Sequence, residues 1–335
     1  MEASEQGLAG LPPVGSRVVV RHRLPAPDPR TGATLTDVVG DLVHADRDRL
    51  VVLTRRGEVT VAPHTVTAVK EIPPAPARRG APHRALSAAD LQRVMVGAWP
   101  AAESEQLGGW VLRASGGFTQ RANSVMTAGD PGLPLARAVD AVERWYDARG
   151  LPPALTVAGP VGSDVAADPL GALLLDRGYA RRVPTTTMTA AVDAVLASTA
   201  ASDPPEVRCS PALDEAWLAA FTQYRHAPLG PARAVLTGSP EQVFASVEQA
   251  DGAVLAVGRL GVASAWGGVA AMWVAPAARR RGLATAVLGA LAAQARRRRV
   301  RSLHLQTDTD NAAAQALYRR HGFTPHHDYV TLRRA

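Results

Sequence analysis

The stretch MWVAPAARRRGLATAVLGALAAQ, Met272 to Gln294, decides the fold. An apolar strand ends near Val274, Pro276 marks a turn, and Arg279-Arg280-Arg281-Gly282-Leu283-Ala284 opens a helix running to about Arg297. Leu283, Val287, Leu288 and Leu291 recur at helical spacing and predict a face packed on a sheet. The first turn of a helix leaves its N–H groups without internal partners, and the macrodipole puts partial positive charge there. Gly282 and Ala284 have little or no side chain, so a phosphate can approach the backbone closely. Three arginines at the rim add charge-assisted bonds. Read alone, the segment is either a diphosphate cradle or a solvated basic turn that starts an ordinary helix.

The next element tips that balance. LHLQTDTDNAAAQALYRRHGF, Leu303 to Phe323, reads as a strand, a polar turn with an Asn, and a helix ended by Gly322. Asn311 and Tyr318 are seven residues apart, so they share a helix face, about 10 Å apart along the axis. A phenol with an ordinary pKa of about 10 suits protonating a departing thiolate. Without the arginine-rich turn, the same pair would read as a capping Asn and a half-buried Tyr.

The R-x-x-G-x-A turn after a strand, then N-x-x-A-x-x-L-Y-x-x-x-G-F about 30 residues on, resembles the GNAT acetyltransferase superfamily. The motif match covers Val269 to Phe323, and the remainder of residues 207–335 agrees by pattern. The resemblance implies a catalytic N-acetyltransferase domain over 207–335 with acetyl-CoA as co-substrate and no metal. It implies that amides of Arg281, Gly282, Leu283, Ala284 and Thr285 bind the CoA pyrophosphate, with Arg279 and Arg280 at the rim. Trp273, Val274 and Ala275 would pair with the pantetheine arm, Asn311 would anchor the cofactor, and Tyr318 would be the general acid.

Upstream, Ser210 and Pro211 predict the start of a helix lined by Leu213, Trp217, Phe221 and Tyr224, and Ser239-Pro240-Glu241-Gln242 reads as a capping box. Residues 86–195 carry a related pattern. A helix capped by Ser87 is followed by strands at Gly109 to Ala114 and Ala122 to Thr127. Then come a helix from Leu135, a strand at Ala154 to Ala158, a helix from Pro169 and a strand at Thr185 to Thr189. LLLDRGY, Leu173 to Tyr179, aligns without gaps over LYRRHGF, Leu317 to Phe323, which reads as a diverged tandem repeat. The first copy has no R-x-x-G-x-A turn, and Leu174 stands where Tyr318 stands in the second. It resembles a GNAT half without a cofactor site, an arrangement similar to tandem actinobacterial acetyltransferases. Residues 196–206 read as a linker between the halves.

About five short Val-, Leu- and Thr-rich strands fill residues 12–72 and predict a small SH3-like barrel. Residues 73–85, PPAPARRGAPHRA, read as a second linker. The fold class expected is thus α/β (α+β in arrangement), two GNAT-like mixed modules in tandem behind a small β-barrel.

A hydrophobic content of 47% suits a globular protein, and the lone Cys209 rules out a disulfide framework or a cysteine-rich zinc site. The opening MEASEQGLAGLPPVG has neither a basic n-region nor an apolar core, and the longest apolar stretch, Gly282 to Ala295, is too short for a membrane span. A cytoplasmic protein with no membrane partner is expected. The net charge of +7 rests on arginine, Lys70 being the only lysine, and it attracts CoA as readily as nucleic acid. Residues 14–72 contain no Phe, Trp or Tyr, which argues against stacking on single strands.

The acceptor expected is a small-molecule amine or a protein amino group. An alkyl amine of pKa about 10.4 is neutral in roughly one molecule in 2,500 at pH 7, so freeing it costs about 4.6 kcal/mol unless a base helps. The reading is direct attack on the thioester, its carbonyl polarised by a backbone N–H near Val274. The general base is open: the strand VAAMWVA has no carboxylate, and Glu248, Asp308, His304 and His226 are the candidates. Trp110, Arg113, Phe118, Arg121 and Asn123 are either acceptor-pocket residues or ordinary strand and turn residues. RRRRVR, Arg296 to Arg301, suits a helix C-terminus, and the adjacent His326 and His327 are expected on opposite sides of a strand. A second class of function stays open: a non-catalytic acyl-CoA sensor, or a nucleic-acid- or protein-binding module that uses the barrel. A homo-oligomer is equally open.

Overall fold

The structure, a computed structural model, describes residues 11–28, 31–54, 57–72, 81–224 and 228–334. Most of the expected linker 73–85 and the candidate base His226 lie outside the described residues. The chain divides into two compact units, Met1–Ala75 and Pro76–Ala335.

In the first unit, β1 (Arg17–Arg23), β2 (Leu35–Ala45), β3 (Leu50–Thr54), β4 (Gly57–Val61) and β5 (Val66–Glu71) form one antiparallel sheet in the order β4-β3-β2-β1-β5. Alternation on β1 sends Val18 and Val20 inward, where Leu42, Leu50, Val52 and Val61 complete a small core.

The second unit begins with α1 (Ala88–Ala98), capped by Ser87, whose Oγ accepts from Asp90 N at 3.0 Å. Next come β6 (Glu103–Leu107), β7 (Trp110–Ala114), β8 (Val125–Met126), α2 (Leu135–Asp147), β9 (Ala154–Gly159), α3 (Pro169–Asp176), β10 (Ala180–Arg181), β11 (Thr185–Ala191) and α4 (Val192–Thr199). The second half adds β12 (Arg208–Ser210), α5 (Glu215–Tyr224), α6 (Leu229–Thr237), β13 (Glu241–Glu248), β14 (Val254–Ala263) and β15 (Trp266–Val274). It closes with α7 (Leu283–Arg297), β16 (Ser302–Asp308), α8 (Ala312–Arg320) and β17 (Thr324–Arg333).

All these strands belong to one sheet, ordered β12-β13-β14-β15-β16-β11-β17-β9-β8-β7-β6, with β10 beside β17. The repeat is visible in it: β8 and β9 run parallel around α2, as β15 and β16 do around α7. Gly178 and Gly322 end the two matching helices with φ of 80° and 83°, and Tyr179 N and Phe323 N each donate to the carbonyl five residues back, at 3.0 Å.

The halves are interleaved. β11, which the sequence assigns to the first half, lies between β16 and β17, and β17 of the second half lies between β11 and β9. Each half therefore covers a strand edge that the other would leave open. β11 (TTTMTAA) is buried along nearly its whole length, as a central strand flanked on both edges must be. α1 follows the same logic: Gly97 packs so closely that a Cβ there would lie 2.7 Å from Ala263 Cβ of β14. The stretch expected as a linker, 196–206, begins inside α4.

Three local expectations are overturned. Ser210 ends a strand rather than capping a helix. α5 starts five residues later, where Asp214 Oδ1 accepts from Trp217 N at 2.7 Å. Ser239-Pro240-Glu241-Gln242 opens β13 instead of a helix, because Ser239 Oγ is engaged with Ala98 O and Arg259. His326 and His327 touch, Nδ1 to Nδ1 at 2.9 Å, because a register shift against β11 at that point breaks the strand alternation. No described helix is long and apolar enough to cross a membrane.

Candidate active site

β15 and β16 pair in parallel from Trp266↔Ser302 to Val269↔Leu305 and then part, β15 running on to Val274 and β16 to Asp308. A bulge opens the gap. Ala271 has φ of 53°, and the register against β14 slips between Val257 and Arg259, so that Ala271 and Met272 both stand opposite Gly258. Past the bulge, Ala275 N donates to Leu255 O at 2.8 Å. Strand alternation then turns the N–H of Val274 to the other edge, the one facing the gap.

Beyond Val274 the chain makes a short turn at Pro276–Ala278 and enters α7. Arg280 and Gly282 both adopt left-handed backbone conformations, φ of 64° and 79°, and Gly282 is the N-cap of α7. No side chain caps this helix, as none caps α2, α4 or α6, while Ser87, Asp168 and Asn311 cap α1, α3 and α8. Arg279, Arg280 and Arg281 are exposed. Among the described residues none of them has a carboxylate partner, and Arg279 Nε donates only to Val274 O, at 3.3 Å. The first turn is tied to the rest of the fold by Thr285, whose Oγ1 lies 3.1 Å from His321 Nε2, while His321 Nδ1 lies 3.2 Å from Ser198 Oγ. Burial pushes the His321 pKa down, and neighbouring Arg320 adds to the effect. Uncapped amides, two left-handed residues and three unpaired arginines suit a bound diphosphate.

Asn311 and Tyr318 line one cavity of about 260 Å³ with Ala270, Ala271 and Met272 at the strand gap. Tyr318 is buried, its ring edge-on to Phe323 at 5.8 Å. Asn311 Oδ1 accepts from Ala314 N at 3.1 Å as the cap of α8, so its amide nitrogen is what it can offer a ligand. Trp273, Val274, Ala275 and residues 279–285 do not line this cavity; they continue from it along β15 to the α7 turn. Trp273 is buried among Phe221, Phe244 and Val257.

The base candidates separate by position. Asp308 lines the cavity, its Oδ1 accepting from Thr185 Oγ1 at 3.3 Å. Glu248 is held by Ser246 and Arg208, which keep its carboxyl below the ordinary range, and it lies outside the cavity lining. Burial drives His304 down to about 3, and it too lies outside the lining.

Apart from Arg121, the sequence missed the cavity's other wall, which comes from distant segments: Trp99, Thr119, Phe221, Gln306 and Tyr329. Tyr329 Oη donates to Gln306 Oε1 at 2.8 Å, and burial raises its pKa. Of the five WVLRASGGFTQRANS candidates, only Arg121 lines the cavity. Trp110 and Arg113 are buried and bonded to Gly129 O and Ser124 O, Phe118 packs against Trp99 and Phe221, and Asn123 ties its own loop together. A buried aromatic spacing was legible; the crossing of segments was not.

The first half has cavities of about 320 and 480 Å³ beside α3, but nothing there resembles the α7 turn. The loop before α2, AGDPGLP, carries an acid and no arginine, and Arg93 Nη2 donates to Ala128 O inside it at 3.2 Å. Among the described residues no group of three or more His, Cys, Asp or Glu is placed to hold a metal.

Comparison with known proteins agrees with this architecture. A family model described as "Probable histone acetyltransferase Rv0428c C-terminal" matches residues 84–332, and one described as the Rv0428c N-terminal Sm-like domain matches residues 12–70. The chain is 28% identical over 243 residues to a Bacillus subtilis (strain 168) protein named uncharacterized N-acetyltransferase YobR, covering 70% of this chain and 94% of that one. It is 31% identical over 170 residues to the probable histone acetyltransferase Rv0428c of Mycobacterium tuberculosis, 48% of this chain and 51% of that one. A solved GCN5-related N-acetyltransferase from Kribbella flavida superposes with a TM-score of 0.53 at 17% identity, over 73% of this chain and 95% of that one. The small β unit expected to be SH3-like is thus matched as Sm-like, and the GNAT fold of the second unit is established. The chain belongs to the Rv0428c acetyltransferase family, an Sm-like domain followed by a GNAT-type acyltransferase.

Proposed function

We propose that the chain transfers an acetyl group from acetyl-CoA to a primary amine by direct attack, with Tyr318 as the general acid. The observation that carries this reading is that Tyr318 and Asn311 line the cavity at the β15–β16 gap, from which β15 leads to the uncapped start of α7. In this reading the amides of Arg281 to Thr285 take the pyrophosphate, with Arg279 and Arg280 at the rim. Trp273 to Ala275 present backbone to the pantetheine arm, and the Val274 N–H polarises the thioester carbonyl. Asn311 contributes its amide nitrogen near the cofactor. The neutral amine forms the new C–N bond as the C–S bond breaks; the Tyr318 hydroxyl supplies the proton that the sulfur takes, and the proton the nitrogen sheds on becoming an amide returns to the phenolate, directly or through water. Asp308, the one carboxylate among the described lining residues, draws in the ammonium form and receives its proton, directly or through water.

The test is CoA release over a panel of amines, with Tyr318→Phe as control. The panel includes a lysine-rich histone-tail peptide, because the M. tuberculosis relative is named a probable histone acetyltransferase. Loss of the acid should lower kcat by about 100-fold or more and leave the KM for acetyl-CoA little changed. Binding of acetyl-CoA with no turnover on any amine would leave an acyl-CoA sensor instead.

A further inference from the structure

The proposed acceptor side of the cavity has a charge pattern of its own. Arg121 is half-buried, and it lines both the main cavity and a smaller inner one that it shares with Trp99, Gln306 and Tyr329. Its guanidinium carbon lies 5.7 Å from the Trp99 ring centroid. Among the described residues it has no carboxylate within ion-pair distance and no hydrogen-bond acceptor for its guanidinium. This sets it apart from the other buried or half-buried arginines of the same half. Arg93, Arg149 and Arg177 are paired with Asp90, Glu103 and Asp140, and buried Arg113 donates to Ser124 O.

The loop that carries Arg121 is built to hold still. Asn123 Oδ1 accepts from Ser115 N and Gly117 N at 2.8 and 3.1 Å, and its Nδ2 donates to Phe118 O and Thr119 O at 2.7 and 2.8 Å. Trp99 Nε1 donates to Thr119 Oγ1 at 3.1 Å, and Thr119 holds a left-handed φ of 56°. A half-buried guanidinium without an anion, fixed on such a loop, is a binding group waiting for its partner. Asp308 sits exposed at the rim of the same cavity and is not within ion-pair distance of Arg121.

We propose that the acceptor is an amine that also carries a carboxylate, with the carboxylate on Arg121 and the amino group toward Asp308. This rests on the acetyl-transfer reading above and narrows its substrate class. One cation and one anion on the lining of a cavity of about 260 Å³ match a zwitterion of amino-acid size. A dianionic phosphate would meet a single cation and an opposing carboxylate. Trp99 and Phe221 on the wall favour an apolar side chain branching from the carbon that bears the two charged groups.

The test uses the full-length protein with saturating acetyl-CoA and pairs of probes that differ by the carboxylate: phenylalanine against phenethylamine, and leucine against isopentylamine. The expected kcat/KM ratio within each pair is on the order of 10- to 100-fold in favour of the amino acid. It should fall to about one in Arg121→Gln and lie between in Arg121→Lys. A ratio near one in the unaltered protein, or a ratio preserved in Arg121→Gln, overturns the proposal while leaving acetyl transfer in place. A weaker affinity for acetyl-CoA with the ratio intact overturns it too, by moving Arg121 to the thioester side. Should no amine turn over, acetyl transfer itself has failed, and calorimetric titration of the same pairs into the CoA-saturated protein decides. Selective binding of the amino acid, lost in Arg121→Gln, supports the site, and binding without selectivity, or none, rejects it. If Arg121→Gln does not fold, the ratio in the unaltered protein stands as the deciding number.

Discussion

Arg259 Nη1 donates to the carbonyl oxygen of Ala98 at 2.8 Å, across 161 residues of sequence. The same fully buried guanidinium donates to Leu236 O and to Ser239 Oγ, each at 2.7 Å. Ala98 ends α1 and Leu236 lies in the last turn of α6, so two helix C-termini converge on one positive charge. Burial lowers the Arg259 pKa to about 9, which still leaves it charged at pH 7. Arg259→Met removes the donor from three buried acceptors, of which Ala98 O keeps Ser239 Oγ, and should cost about 3 kcal/mol, read as a lower urea midpoint; Arg259→Lys should cost less. An unaltered midpoint in Arg259→Met would remove the clamp from the account.

The interleaved centre of the sheet carries a cost that can be relieved. Thr187 of β11 is fully buried, and its Oγ1 has no partner among the described residues. Thr187→Val keeps the shape and removes the unpaired hydroxyl, so it should stabilise the protein by about 1 kcal/mol in urea unfolding. Destabilisation there would mean that a water satisfies the hydroxyl.

Acid should weaken the fold from near neutrality downward. His304 and His327 are buried, and burial depresses both to about 3 from an ordinary 6.5. His327 Nε2 lies 2.8 Å from Gln92 Nε2, an arrangement that needs the ring's lone pair. Between pH 6.5 and 3 the unfolded chain binds protons that the folded chain refuses. Stability is therefore full above 6.5 and is lost as pH falls, by up to about 1.4 kcal/mol per unit for each ring. Urea midpoints at pH 7.5, 6 and 5 should show this slope, and His327→Gln should make it shallower. A flat profile would contradict the burial of these rings.

Gly258 couples the bulge to α7. A Cβ there would stand 2.6 Å from both Met272 Sδ and Val287 Cγ1 and 3.1 Å from Leu291 Cδ1. Gly258→Ala should destabilise by about 1–3 kcal/mol and also weaken acetyl-CoA binding, since α7 must shift off the sheet. Loss of stability with affinity untouched would uncouple the helix from the site.

The parts legible in the sequence are those fixed by local chemistry. Gly282 and Asn311 at two helix starts, Gly178 and Gly322 at two helix ends, and the apolar face of α7 each follow from residue type and spacing. Ser239 shows the opposite case, since a good capping sequence yielded to a buried arginine that arrives from β14. The exchange of β11 and β17 had no local signature, because a buried threonine strand reads the same in either half. For the same reason the cavity wall at Trp99, Gln306 and Tyr329, beside Arg121, became visible only once the strands were in order.

The start of α7 is the proposed grip for a diphosphate, and calorimetric titration of acetyl-CoA into the purified chain tests it most directly. The unaltered protein should give a saturable heat at one site, and Gly282→Val, forced into a φ of 79°, should bind about tenfold more weakly. No heat with acetyl-CoA, or equal affinity in Gly282→Val, would contradict the account.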